Sequence, residues 1–247
     1  MKKLLYLFSA VAITLTSCSS DDSSDSSDAD VILLTKTIQT YQDGSTSTFN
    51  LEYSGKKLVK SENSNGRYSM YTYTGDLITK IEFFSANNIL DESKTYTYDS
   101  NNRVTSLVIV EPTFTDYGER ETFTYNADGT ITAKYYEGNF DEQTELVNTA
   151  TITLNNGAVK KIIDENGREI TFTYDDKRNP TTNILGFEKL IYTESDGDSP
   201  TNNILTIVDS DLDQNTTNTL EYNAQNFPTS LISVDRYEIT KIEYFYN

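Results

Sequence analysis

Histidine and tryptophan are absent from this 247-residue chain, and cysteine occurs once, at position 18. Without histidine the commonest base near neutral pH is missing, and with it the His-dependent hydrolase triads and zinc sites. No Gly-x-Gly-x-x-Gly or phosphate-loop pattern occurs, so nucleotide binding has no motif behind it. Basic residues are scarce, 20 against 38 acidic, for a net charge of −18. Two lysines fall in residues 1–17 and five aspartates in 18–30, leaving 18 basic and 33 acidic residues in 31–247 and a net of −15. Such a balance opposes nucleic acid, whose phosphates need lysine and arginine clusters, and adsorption to anionic lipid. Helical periodicity is also missing after residue 30.

What is present begins with an export signal. Met1-Lys2-Lys3 leads into the apolar run Leu4 to Leu15, which is short for a transmembrane helix and suits a cleaved leader over residues 1–17. Leu15-Thr16-Ser17-Cys18 resembles the lipobox of bacterial lipoproteins. The resemblance implies cleavage before Cys18 and acylation of its thiol, so the chain is tied to a membrane there and keeps no free thiol for a disulfide or a nucleophile. Residues 18–30 alternate serine and aspartate without apolar spacing and read as a flexible tether. A serine and aspartate run beside the lipidated cysteine also resembles the surface-export signal of Bacteroidota lipoproteins. It implies an outer-membrane lipoprotein exposed on the cell surface, with a periplasm-facing one as the alternative.

Residues 31–247 repeat one phrase: a short strand ending in tyrosine, a turn of Gly, Asn and Asp, then a second strand. Tyr53, Tyr73, Tyr98, Tyr125, Leu154, Tyr174 and Tyr222 anchor the repeats. The turns include Asn65-Gly66, Asn156-Gly157 and Asn166-Gly167, dipeptides that supply the positive φ of tight hairpins. Within strands the alternation has period two, as where Ile170, Phe172 and Tyr174 oppose Glu169, Thr171 and Thr173. Half-buried antiparallel strands follow. The expected fold is all-β, an up-and-down meander of roughly 16–18 strands in a single domain, rolled into a barrel-like sheet because open edges invite aggregation. The rhythm breaks at Thr181 to Glu188, read as a short helix or an apolar loop covering one end of the sheet. Strand-like runs resume at Lys189 to Thr193 and Ile204 to Val208. Most runs are shorter than the roughly 9–11 residues of a membrane-crossing strand, which argues against a spanning barrel.

Tyr96-Thr97-Tyr98-Asp99-Ser100-Asn101-Asn102-Arg103-Val104 resembles the YD repeats of Rhs-type secreted proteins. The C-terminal half, through Asn179-Pro180, Asn183 to Leu190, Asn202-Asn203-Ile204, Glu221-Tyr222-Asn223 and Phe227-Pro228-Thr229, resembles a Bacteroidota lipoprotein family. That family is a domain of unknown function described as porin-like in fold. The resemblance implies a rolled antiparallel sheet and export, and it carries over no functional residue.

Candidate chemistry is thin. Asp209, Asp211 and Asp213 place oxygens at alternate positions, as calcium loops do, but Gln214 stands where the sharp-turn glycine belongs and Glu221 comes one residue late. A solvated acidic turn is the default, and Asp196 and Asp198 join it only if the two loops meet. The repeated tyrosines read as core residues in preference to a glycan-stacking ladder. The sequence therefore points to no catalytic residue, no metal and no cofactor. A lipid-anchored binding or structural module is expected, with a glycan or an outer-membrane protein as partner. Two alternatives stand beside it: a carrier of an apolar ligand in a hollow sheet, and a carboxylate-based enzyme acting on glycans.

Overall fold

Short strands of β-branched and aromatic residues, punctuated every few residues by Asn, Asp and Gly, leave the chain one economical course: up, turn and down. The computed structural model describes residues 31–194, 197–211 and 214–247. The lipidation candidate Cys18, the leader and the tether fall outside the described residues, as do Asp196 and Asp213. Val31–Asn247 forms one compact unit. Its strands are β1 Leu34–Thr40, β2 Thr46–Ser54, β3 Lys57–Asn63, β4 Tyr68–Thr74, β5 Leu77–Phe84, β6 Leu90–Tyr98, β7 Val104–Val110 and β8 Gly118–Tyr125. They continue as β9 Ile131–Gly138, β10 Gln143–Asn155, β11 Ala158–Asp164, β12 Glu169–Tyr174, β13 Ile204–Asp209, β14 Gln214–Tyr222, β15 Pro228–Val234 and β16 Ile239–Tyr246. Each pairs antiparallel with its sequence neighbours, and β1 pairs with β16 to close a barrel.

The register sorts side chains into two faces. Thr97, Ser106, Thr122, Lys134 and Thr149 oppose one another in a row across β6 to β10, and Thr72, Lys80 and Thr95 do so across β4 to β6. These rows face outward. Inward rows change character along the barrel. Tyr125, Ile131, Ile152, Ile162 and Ile170 form one row, and Phe123, Ala133 and Ala150 the next. Glu121, Tyr135 and Asn148 follow, then Glu119, Glu137 and Glu145. The lumen is thus apolar toward the end carrying the Gly55, Gly75 and Asn156-Gly157 turns and acidic toward the other. Val104, Leu107, Ile78, Ile152 and Val159 show no exposure and mark the centre of the apolar half.

A sixteen-stranded barrel is too wide for wall side chains to fill. The 29-residue connection from β12 to β13, residues 175–203, enters from the apolar end and plugs it. Thr181 to Glu188 therefore follows the loop alternative, and its apolar side chains sit inside the barrel rather than over the sheet. Its helical content is one 3-10 turn, Phe187–Lys189. Lys189 to Thr193, expected as a strand, is plug instead: Leu190, Ile191 and Tyr192 pack on Ile81, Tyr96 and Phe123 of the wall.

Candidate functional site

The plug is seated by backbone bonds at several points. Leu185 N–H donates to the Lys56 carbonyl at 3.0 Å, and Val159 N–H donates to the Asp198 carbonyl at 2.9 Å. Asn179, buried, donates its amide to the Ser199 carbonyl at 2.7 Å, and Asn183 reaches back to the Ile32 carbonyl at 2.8 Å. Tyr192 stands edge-on to Phe123, ring centroids 5.3 Å apart, and shares a hydroxyl–hydroxyl hydrogen bond with Tyr125. Gly197 lies on the Phe172 ring so closely that an added Cβ would meet it at 2.5 Å.

Two chambers lie in the lumen between plug and wall. One, about 380 Å³, is lined by Ile81, Phe83 and Tyr96 of the wall and by Phe187, Leu190 and Ile191 of the plug. The other, about 390 Å³, is lined by Glu119, Glu121, Tyr135, Glu137 and Asn148. Glu194 borders both. Its carboxylate pairs with Lys94 at 2.5 Å, and its backbone N–H donates to the buried Glu121 carboxylate at 2.8 Å. Lys94 also lies 3.5 Å from Glu92, whose carboxyl is pushed up by burial. The Tyr117 hydroxyl donates to Glu119. Glu121 and Glu194 thus hold wall to plug, whereas Glu92 and Glu119 find their partners within the wall.

The repeated tyrosines ring the plug end. Tyr53 donates its hydroxyl to the Leu34 carbonyl at 2.6 Å, Tyr98 to Ile78 at 2.5 Å, Tyr125 to Val104 at 2.7 Å, Tyr174 to Val159 at 2.7 Å and Tyr246 to Pro228 at 2.8 Å. In each case a residue at the close of an even-numbered strand grips the start of the strand before it. Tyr73, at the matching place beside Leu58, closes no such bond. Tyr222 departs from the pattern and donates to Asp175 at the root of the plug. Burial pushes all of these hydroxyls upward in pKa, Tyr73 to about 12. The rings are half-buried rather than sealed, and they line the inside of the wall, not an exposed ladder.

The calcium-like cluster is taken up differently. Asp209 is buried and accepts from the Arg168 guanidinium, with Nε 3.0 Å from both carboxylate oxygens. Asp211 N–H donates to Asp209 at 3.1 Å, which closes the turn. Asp198 sits at the plug end, away from that turn, so the two loops do not meet. Among the described residues no three Asp, Glu, His or Cys side chains are grouped to hold a metal.

The wall's sixteen strands, meander order and closure can be compared with known proteins. No protein-family model and no curated protein matches the chain. A solved structure does: a porin-like protein from Bacteroides uniformis, with TM-score 0.55, 15% identity, and coverage of 87% of this chain and 96% of that one. The two share a fold. Porin-like here describes the barrel's topology. A membrane-spanning wall is apolar outside and polar inside, whereas this one presents Thr, Lys and Ser outward across β4 to β10 and packs Ile, Leu, Phe and Tyr inward at its plugged end, although Val208, Ile232, Val234, Ile239 and Phe245 are exposed on β13 to β16. Among the described residues only β10, at 13 residues, exceeds nine.

Proposed function

We propose that the chain is an exported, lipid-anchored binding module of the outer membrane, exposed at the cell surface, which catalyses no reaction. The carrying observation is the polarity of the wall. A wall that is polar outside over β4 to β10 and apolar inside at its plugged end suits water over that half, so an attachment other than the wall is needed at a membrane. Leu15-Thr16-Ser17-Cys18 supplies one. The two chambers, each within the volume range of small-molecule sites, supply a place to bind. A carrier facing the periplasm is the second reading, favoured by the Ile81, Phe83, Leu190 and Ile191 lining of the first chamber. Non-catalysis rests on the missing histidine and on the positional partners of Glu121, Glu194 and Glu92.

Cell fractionation with protease shaving tests the location. Full chain should be acylated, sediment with membranes and be cut on intact cells, and Cys18→Ala should abolish acylation. An unacylated wild-type chain would overturn the anchor, and shaving resistance would favour the carrier. For binding, an apolar fluorophore should brighten with the wild-type chain and not with Leu190→Trp, which fills the chamber. Polysaccharide or peptide turnover that disappears when one of these glutamates becomes alanine would overturn the non-enzymatic reading.

A further inference from the structure

Two neighbouring strand pairs hold together over three residues only. β3 and β4 pair from Lys60↔Met70 to Glu62↔Tyr68, and β11 and β12 from Lys161↔Thr171 to Ile163↔Glu169. In both, the strands part toward the plug end, so the wall there has a seam. The two seams are closed in opposite ways. At the β3–β4 seam Leu58 packs with Leu33 and Ile184, and Tyr71 packs on Phe187 with ring centroids 5.9 Å apart. That seam is stoppered with apolar side chains. At the β11–β12 seam the plug contributes one backbone bond, from Val159 N–H to the Asp198 carbonyl, and the Tyr174 hydroxyl spans to the Val159 carbonyl. A cavity of about 320 Å³ is left there, lined chiefly by Asn155, Asn156, Lys160, Tyr174, Asp175 and Asn202.

We infer that this β11–β12 seam is a binding site for an acidic saccharide, one bearing a carboxylate on a sugar ring. Lys160 is the bulged residue of β11, set between the Leu154↔Val159 and Thr153↔Lys161 pairs; it is exposed and lines the cavity. It has no carboxylate within salt-bridge distance among the described residues. Asp175, the acid in the cavity wall, is already committed: it accepts from Lys177 N–H, from Asn203 N–H and amide, and from the Tyr222 hydroxyl. Lys160 is therefore the one uncommitted charge of the lining. The Asn155 and Asn156 side chains also make no hydrogen bond within the described protein. Carboxamides that both donate and accept match vicinal hydroxyls, an unpaired ammonium matches a carboxylate, and a tyrosine supplies the apolar patch a sugar face needs. This lining contrasts with the apolar seam and with the luminal chambers, and it does not depend on the ligand of either chamber.

Calorimetric titration of the full chain tests this with three probes: free glucuronate, an oligogalacturonate, and a neutral gluco-oligosaccharide of equal length. The acidic probes should bind and the neutral one should bind at least tenfold more weakly. Tighter binding of the oligomer than of free glucuronate identifies a polysaccharide as the source; equal binding identifies a single terminal sugar. Lys160→Gln should weaken the acidic probes by about ten- to a hundredfold, as for loss of a charged hydrogen bond, and Lys160→Glu further, while Asn155→Ala weakens all probes. Leu190→Trp in the luminal chamber should leave saccharide binding unchanged, which separates this site from that one. Absence of binding to either acidic probe, or acidic binding indifferent to Lys160→Glu in a chain with wild-type circular dichroism, would overturn the inference.

Discussion

Tyr98 shows what a single residue does here. Its ring fills the inner face at the end of β6, and its hydroxyl satisfies the Ile78 carbonyl across the strand pair. Tyr98→Phe removes the donor and leaves that carbonyl half-buried, which should cost about 1–2 kcal/mol in a denaturant titration. The same hydroxyls couple stability to alkali. A folded-state pKa raised above the unfolded value of 10 means the native state holds more protons once pH passes 10, so stability is full below that pH and falls as pH rises. Burial lifts Tyr73 and Tyr244 to about 12. The chain should hold its circular dichroism to about pH 10 and unfold cooperatively above it, with tyrosine ionisation at 295 nm appearing in the same transition. Ionisation complete before unfolding would show these rings to be solvated. The inward tyrosines were legible in the sequence, because period two fixes which face they take. The carbonyl each one grips was not, since that partner depends on strand stagger. Arg168, which neutralises Asp209 from 41 residues away, was hidden for the same reason.

Among elements, the hairpins follow from local chemistry and the plug does not. Asn156 and Gly157 adopt φ of 50° and 84°, the paired left-handed geometry that a two-residue turn demands and that Asn-Gly signals. The 175–203 segment has no such period. Ile184, Phe187, Leu190, Ile191 and Tyr192 have the composition of a buried strand, which is why Lys189 to Thr193 reads as one. Only the diameter of a sixteen-stranded closure shows that a connection has to turn inward. Gly197 is the tighter of the insertion's two glycines, since an added Cβ would meet the Phe172 ring at 2.5 Å, against 3.0 Å for the nearest atom at Gly186. Gly197→Ala should destabilise by about 1–3 kcal/mol through overpacking. Tyr192→Ala, which empties the contact with Phe123 and Tyr125, should cost about 3–5 kcal/mol. Both are read from thermal or denaturant unfolding of the full chain. Wild-type stability in both core variants would mean the plug is loosely held.

For the whole molecule, fold class, closure and strand number were legible because alternation, turn spacing and the cost of open edges all point one way. Whether the interior is hollow was not, because filling depends on where one irregular segment goes. In the proposed arrangement the outer wall faces water while a lipid anchor, not the wall, holds the protein at its membrane. Cysteine labelling in native membranes tests it most directly. Thr72, Thr95, Thr124 and Thr151 lie exposed on the outer face of β4, β6, β8 and β10, and each is replaced by cysteine in turn, with the parent chain as the control for Cys18. All four should react rapidly with a membrane-impermeant maleimide, whereas Ile152→Cys, on the fully buried inner face, should not until the chain is unfolded. Outer positions that resist the maleimide but are quenched by lipid-borne probes would contradict a water-facing wall and place it in the bilayer.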